Sequence, residues 1–330
     1  MTAIAVPPTF DVLVTADWER RALIDDVRRG LGRHPLKLSP RWLYDARGSA
    51  LFDRITRLAE YYPTEAEREI LHREAASIAA LTRADTIIEL GSGTSDKTRT
   101  LLDAFRSAGH LRRFVPFDVS ESTLRDAAAR LSATYPGLQV HGLVGDFTLH
   151  LSHLPTGGVP MVAFLGSTIG NFYVEERQAF LSMLAERLPE EGWLLLGVDL
   201  VKPVDRLVAA YDDPHGVTAE FTRNLLHVLN HEVGANFDVD AFDHVALWDP
   251  SRERMDLRLR VNGDQRIDIP DADVRLDLHD GEEIRVEIST KFRVPTITAE
   301  VEAAGFRIRQ LWTDRHGDFA LILASVAGRP

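Results

Sequence analysis

The chain has no cysteine, which excludes disulfides, thiolate metal sites and cysteine nucleophiles. It has no apolar run near the ~18 residues that a membrane span needs. Its first residues lack the basic segment and apolar core of a secretory leader. Positive charge is in short supply, since 38 Lys and Arg face 50 Asp and Glu, a formal net charge of −12. Such a field repels phosphate backbones and no basic stripe relieves it, so nucleic acid is disfavoured and a small, positively charged substrate suits it better. Low-complexity segments and internal repeats are also missing. What is present is 330 residues, 45% hydrophobic and 27% charged, enough for one large or two ordinary globular domains. A cytoplasmic monomer is expected, with no membrane partner.

Residues 1–12 are expected to be loose, because Pro7-Pro8 interrupts an early helix. Helix signals follow over residues 18–31. Thr64 reads as an N-cap with Glu67 completing a capping box, opening a helix with Leu71, Ala75, Ile78 and Leu81 on one face. Strand and helix then alternate. Residues 86–90, 114–119, 139–144, 161–165 and 193–198 are near-continuous apolar strands between amphipathic helices. That pattern predicts a mostly parallel sheet covered on both faces. Beyond Lys202 the character changes. A helix bearing Phe221, Leu225 and Leu229 stops near Gly234, and Asn262-Gly263-Asp264 predicts a hairpin joining 255–261 to 265–269. Alternating segments at 274–278 and 283–289 continue the strand-rich region, and strands at 306–312 and 319–325 would pair at an edge of the first sheet. Residues 66–201 and 291–330 are therefore expected to form an α/β domain, and 13–65 with 202–290 a second α+β domain.

The run Glu89-Leu90-Gly91-Ser92-Gly93-Thr94-Ser95-Asp96-Lys97-Thr98 joins the first apolar strand to its helix. Glycines there let a ligand approach the backbone, and the helix start offers unpaired N–H groups. A dinucleotide fold wants a third glycine, and a phosphate loop a second one, at the position of Asp96. One carboxylate thus counts against both phosphate readings. S-adenosylmethionine, which has no phosphate, is the third reading. Asp118 stands where a carboxylate can take both ribose hydroxyls. Asp146 and Phe147 stand where an acid can meet the adenine amine and an apolar ring its face. All these groups fall at the carboxyl ends of parallel strands, where open α/β sheets bind ligands.

Four segments occur in order: Glu60-Tyr61-Tyr62-Pro63-Thr64, the Gly-rich run, Phe164-Leu165-Gly166-Ser167-Thr168-Ile169-Gly170-Asn171, and Lys291-Phe292-Arg293. Together they resemble the bacterial L-histidine Nα-methyltransferases of ergothioneine biosynthesis, over nearly the whole chain from Trp42 to Phe319. The resemblance implies a Rossmann-like class I methyltransferase domain and a second domain, with the substrate between them. It implies three methyl transfers to the histidine amine, giving hercynine. It further implies that Tyr44, Gly91, Lys97, Asp118, Asp146 and Phe147 contact the cofactor. Asn171 and Tyr211 would hold the substrate carboxylate and amine region, and Tyr61, Glu287 and Ser289 the imidazole. Asp96 and Leu257 depart from the pattern, which has Glu and Met there; Leu and Met have similar volumes.

The residues make chemical sense on their own terms. In a regular strand Ile284, Val286 and Ile288 face one way and Arg285, Glu287 and Ser289 the other. Without the resemblance these residues read as a solvated strand face; with it, a carboxylate and a hydroxyl side by side can clamp an imidazole. Asn171 could alternatively cap the next helix, and Tyr211 could be a core aromatic. None of the matched positions is histidine, so no general base is assigned. His227 and His231 are four apart on a helix but lack a third ligand, so no metal is expected. The rival readings are a methyltransferase for another amino acid such as tryptophan, a nicotinamide-dependent oxidoreductase, and a non-catalytic adenosylmethionine sensor.

Overall fold

The computed structural model describes residues 6–95 and 97–328. They divide into two compact units. The first contains the described residues up to Leu13, Pro63–Val201 and the described residues from Lys291 on; the second is Val14–Tyr62 with Lys202–Thr290.

The chain opens with β1 (Thr9–Val12), passes through α1 (Ala16–Leu31) and α2 (Ala46–Ile55), and runs on along α3 (Tyr62–Thr82). Five strands alternating with four helices follow: β2 (Thr86–Leu90), α4 (Thr98–Ser107), β3 (Arg113–Asp118), α5 (Glu121–Thr134), β4 (Gln139–Val144), α6 (Phe147–His150), β5 (Pro160–Phe164), α7 (Val174–Arg187) and β6 (Trp193–Asp199). The second unit then receives α8 (Val204–Tyr211), α9 (Val217–Glu232), β7 (Phe242–Asp249), β8 (Arg254–Val261), β9 (Gln265–Ile269), β10 (Val274–Leu278) and β11 (Glu283–Thr290). The chain closes with α10 (Val294–Ala303), β12 (Phe306–Thr313) and β13 (Phe319–Val326).

The first unit holds an eight-stranded sheet in the order β1-β4-β3-β2-β5-β6-β13-β12. The strands from β1 to β6 are mutually parallel, and β13 and β12 join antiparallel at one edge. This is the mostly parallel, doubly covered sheet that the apolar strand pattern predicts, and it agrees with the Rossmann-like domain that the resemblance implies. Every residue of β2, β5 and β13 is buried, as strands covered on both faces must be.

Two expectations are overturned here. Residues 9–12 are an ordered edge strand, because Pro7-Pro8 precedes the segment and does not interrupt it. Phe10 pairs with Gly142, and a Cβ on that glycine would lie 2.6 Å from the Phe10 ring and 2.4 Å from Leu124. α3 begins at Tyr62, two residues before the expected cap, so Thr64 lies buried within the first turn. Glu67 is likewise buried, and its partners lie elsewhere in the first unit.

The second unit is α+β. A three-stranded antiparallel sheet, β11-β8-β7, is accompanied by a separate two-stranded pair, β10-β9. Leu225, Leu229, Leu257, Leu259 and Val261 are among the buried residues of its core. The Asn262-Gly263-Asp264 turn exists, with Gly263 at φ +78°, but it does not make a hairpin. β8 is already paired on both sides, by β7 and β11, so β9 leaves it to pair with β10. The turn docks instead on the 279–282 loop, where Gly263 N–H donates to Asp280 Oδ1 at 2.7 Å.

The regular alternation expected for β11 is also broken. The register with β8 shifts between Arg285 and Glu287, leaving Val286 as the extra residue of a β-bulge. Beyond the bulge Arg285 pairs with Arg258, so it shares the face of Asp256 and not that of Glu287. There Asp256 receives Arg285 at 2.9 Å, Arg258 at 2.8 Å and Arg254 at 3.3 Å. Glu287 and Ser289 keep the other face, opposite Leu257 and Met255.

This arginine cluster gives a stability prediction. Asp256→Ala should cost ~1–3 kcal/mol, below the ~3–5 of a fully buried pair because Arg258 and Arg285 keep some solvent. Asp277→Ala, which removes an exposed pair with Arg266, should have no measurable effect. Urea denaturation of the two variants beside the parent checks both statements.

Candidate active site

Two glycines, Gly91 at φ +69° and Gly93 at φ +48°, turn the chain sharply after β2. A Cβ on Gly91 would lie 3.7 Å from the Phe147 ring, whereas above Gly93 there is open space. Gly93 N–H donates to Asp118 Oδ2, and Ser120 N–H to Asp118 Oδ1, both at 2.9 Å. Burial pushes the Asp118 carboxyl above its usual range, against these two donors. Asp146 caps α6 by accepting from Thr148 N–H at 2.8 Å and its hydroxyl at 2.6 Å. Phe147 meets Phe117, Phe164 and Phe180 edge-on, with centroids 5.4–6.3 Å apart. Lys97 Nζ, the cation of the loop, is engaged by Glu67 at 2.5 Å. Acceptors and an apolar ring around an open glycine turn, with the loop's lysine already paired, fit a cofactor with ribose, adenine and no phosphate. Asp96 lies outside the described residues.

A second turn leaves β5. Gly166 at φ +73° and Ser167 at φ +58° are consecutive left-handed residues, and at a serine that conformation is strained. It is held because Ser167 Oγ accepts from Asp199 N–H at 2.9 Å and Ser167 C=O from Gly170 N–H at 2.8 Å. Asn171 ends the short helical turn that follows. It does not cap α7: Tyr173 occupies that position, with its N–H donating to Glu176 at 2.9 Å. Asp199 in turn holds Lys291 at 2.9 Å, both side chains fully buried, a pairing that the sequence did not disclose.

In the second unit Tyr211 is buried at the end of α8, and its hydroxyl lies 2.9 Å from Ser289 Oγ. Tyr61 stacks edge-on with Tyr211 at 6.1 Å. Its neighbour Tyr62 instead accepts from Lys202 Nζ at 2.7 Å, with that cation also over its ring. Glu287 is only 9% exposed, so the solvated-face alternative fails. Tyr44 packs edge-on against Phe52 and Phe221. Thus Tyr61, Tyr211, Glu287 and Ser289 lie in the second unit with Tyr44, while Asn171 lies in the first with the other cofactor candidates. His244 was invisible in the sequence because the strand that carries it, β7, shows no clear alternation. Its Nε2 donates to Tyr211 C=O at 2.8 Å and its Nδ1 meets Thr222 Oγ1 at 2.9 Å.

A family model of histidine-specific, SAM-dependent methyltransferases matches residues 23–326. The chain belongs to that family. It is 52% identical to the histidine N-alpha-methyltransferase of Mycobacterium tuberculosis, over 92% of this chain and 95% of that one. The enzyme of the same name from Mycolicibacterium smegmatis is 51% identical, over 94% and 97%. The L-tryptophan methyltransferase trpM of Psilocybe serbica is 25% identical, over 85% and 86%.

Among the described residues of this methyltransferase, no three His, Asp or Glu side chains gather as a metal site, and no helix is long and apolar enough to cross a membrane. His231 bonds only its exposed neighbour Glu232. The remaining unusual group is Glu89, buried beneath the glycine turn and bonded to the Thr98 hydroxyl, with Oε2 lacking a partner. Burial pushes its carboxyl up to about 8, outweighing Thr98 and Lys97. A folded value above the ordinary 4.5 means that the proton stabilises the fold fully below pH 4.5. That contribution is lost as pH rises through about 8. Glu89→Gln should therefore flatten the decline of thermal stability across this window. Melting curves of parent and variant at closely spaced pH values check it, and parallel profiles would assign the decline to other groups.

Proposed function

We propose that the chain transfers methyl groups from S-adenosylmethionine to the α-amino group of L-histidine, three in succession, giving hercynine. Membership of the histidine-specific family supports this reading. The observation that carries it is a polar cluster in an apolar core: Glu287 on the face of Ser289, whose hydroxyl meets that of Tyr211. A buried carboxylate facing an indole would cost several kcal/mol, which favours histidine over tryptophan. With Asp96 standing where a dinucleotide fold wants its third glycine and Lys97 held by Glu67, a nicotinamide cofactor is disfavoured.

Gly91, Lys97, Asp118, Asp146, Phe147 and Tyr44 would hold the cofactor, with Asp118 on the ribose and Asp146 with Phe147 on the adenine. When bound, it supplies an electrophilic methyl carbon on a sulfonium. The chain's own task is to present a neutral amine in line with that carbon. Holding the α-amine neutral near pH 7 costs roughly 1–3 kcal/mol. Asn171 and Tyr211 grip the carboxylate, which is unchanged from round to round, so the growing amine needs no obligatory N–H contacts. The rings of Tyr61 and Tyr211 favour the methylated ammonium products. His244 is no base for this step: both its nitrogens are engaged, and burial lowers its pKa. Glu287 accepts from an imidazole N–H and Ser289 fixes the ring.

Mass spectrometry of histidine incubated to completion should show a gain of three methyl groups; a reaction stalled at one would mean a narrower pocket. Asp118→Ala should weaken cofactor binding by roughly ten- to a hundredfold in calorimetric titration. Glu287→Ala should lower kcat/KM for histidine by about ten- to 150-fold, and for tryptophan by less, with cofactor affinity nearly constant. Equal losses on both substrates would remove imidazole recognition from Glu287.

A further inference from the structure

Glu67 has no place in the reaction chemistry above, yet it is a fully buried carboxylate in the middle of the first unit. Its Oε2 accepts from Lys97 Nζ at 2.5 Å and its Oε1 from Gly166 N–H at 2.8 Å. Lys97 stands at the start of α4, closing the turn that begins at Gly91. Gly166 opens the other turn, which ends at Asn171. One carboxylate therefore bonds both loops at once, the cofactor-side one through a charge and the acceptor-side one through a backbone N–H.

The surroundings are shaped to admit it. A Cβ on Gly197 of β6 would lie 2.1 Å from Glu67 Oε1, and a Cβ on Gly166 3.4 Å from Lys97 Nζ. A side chain at Gly197 would therefore collide with the carboxylate, whereas one at Gly166 would only touch the lysine. A buried carboxylate is costly unless its oxygens are satisfied, and here the satisfying donors come from the two loops themselves. Displacing either loop strands the charge, so each loop's position constrains the other's.

We infer that Glu67 is a positioning residue that couples cofactor binding to acceptor binding; this rests on the function proposed above. Occupation of the glycine turn fixes Lys97, and through Glu67 it fixes Gly166 and the turn leading to Asn171. The second ligand then meets a loop that is already ordered and binds more tightly. Linkage requires the effect to be reciprocal.

The test is a pair of calorimetric titrations of the full chain with histidine, one without and one with saturating S-adenosylhomocysteine. In the parent, the ratio of the two dissociation constants should be at least about fivefold. Glu67→Gln keeps the shape and removes the charge, and its ratio should fall towards one. A merely structural brace would weaken both titrations in proportion and leave the ratio as in the parent. If Glu67→Gln fails to fold with Lys97 stranded, the double variant E67Q/K97M removes both charges and should lose the coupling equally. A parental ratio of one, or a ratio unchanged in the variants, overturns the coupling role. Histidine that binds the parent in neither titration overturns the proposed substrate, and with it the inference.

Discussion

Three largely buried ion pairs tie together the turns, strands and helices of the first unit, and each partner is held in place by the other. Lys291 and Asp199 are both fully buried and 2.9 Å apart. Asp199 ends β6 and also donates its N–H to Ser167, so the pair anchors the strained turn after β5. Arg177 of α7 holds Glu300 of α10 through two bonds, at 2.6 and 2.9 Å. Glu67 joins the turns after β2 and β5. Apolar packing loses its dispersion contacts gradually as groups shift. A buried ion pair is less forgiving, because a displaced partner leaves an unsolvated charge.

That constraint suits a methyl transfer in which no assigned side chain moves a proton. The chemistry asks mainly for alignment of an amine with a methyl carbon, and small errors of placement are costly. Rigid turns at the carboxyl ends of parallel strands are a means to that end. Asp118, Asp146 and Asn171 all project from such turns.

The second unit solves a different problem, which is to put a carboxylate and two hydroxyls into an apolar core without stranding them. The bulge at Val286 is central to this. Without the extra residue, Arg285 would share the face of Glu287 and neutralise it. With it, Arg285 is drawn to Asp256 on the opposite face. Glu287 is left beside Ser289 and opposite Leu257. His244 completes the arrangement by holding the Tyr211 carbonyl, and so the helix end that aims the Tyr211 hydroxyl.

The parallel sheet was legible in the chain, because β2 to β6 are apolar runs whose burial on both faces is a local compositional property. The sequence favoured S-adenosylmethionine over the phosphate-bearing cofactors because Asp96 stands where both of those readings want a glycine. Tertiary structure decided what depends on long-range partners. The glycine turn at 263 was legible, but which strand β9 would join was settled by the prior pairing of β8 with β7 and β11. Thr9–Val12 became a strand because β4 had a free edge and Gly142 left room for Phe10. Glu67 carried the local signature of a capping box. Its real partners are Lys97 and Gly166, 30 and 99 residues away, and a short-range pattern holds no information about donors that only the folded sheet brings within reach.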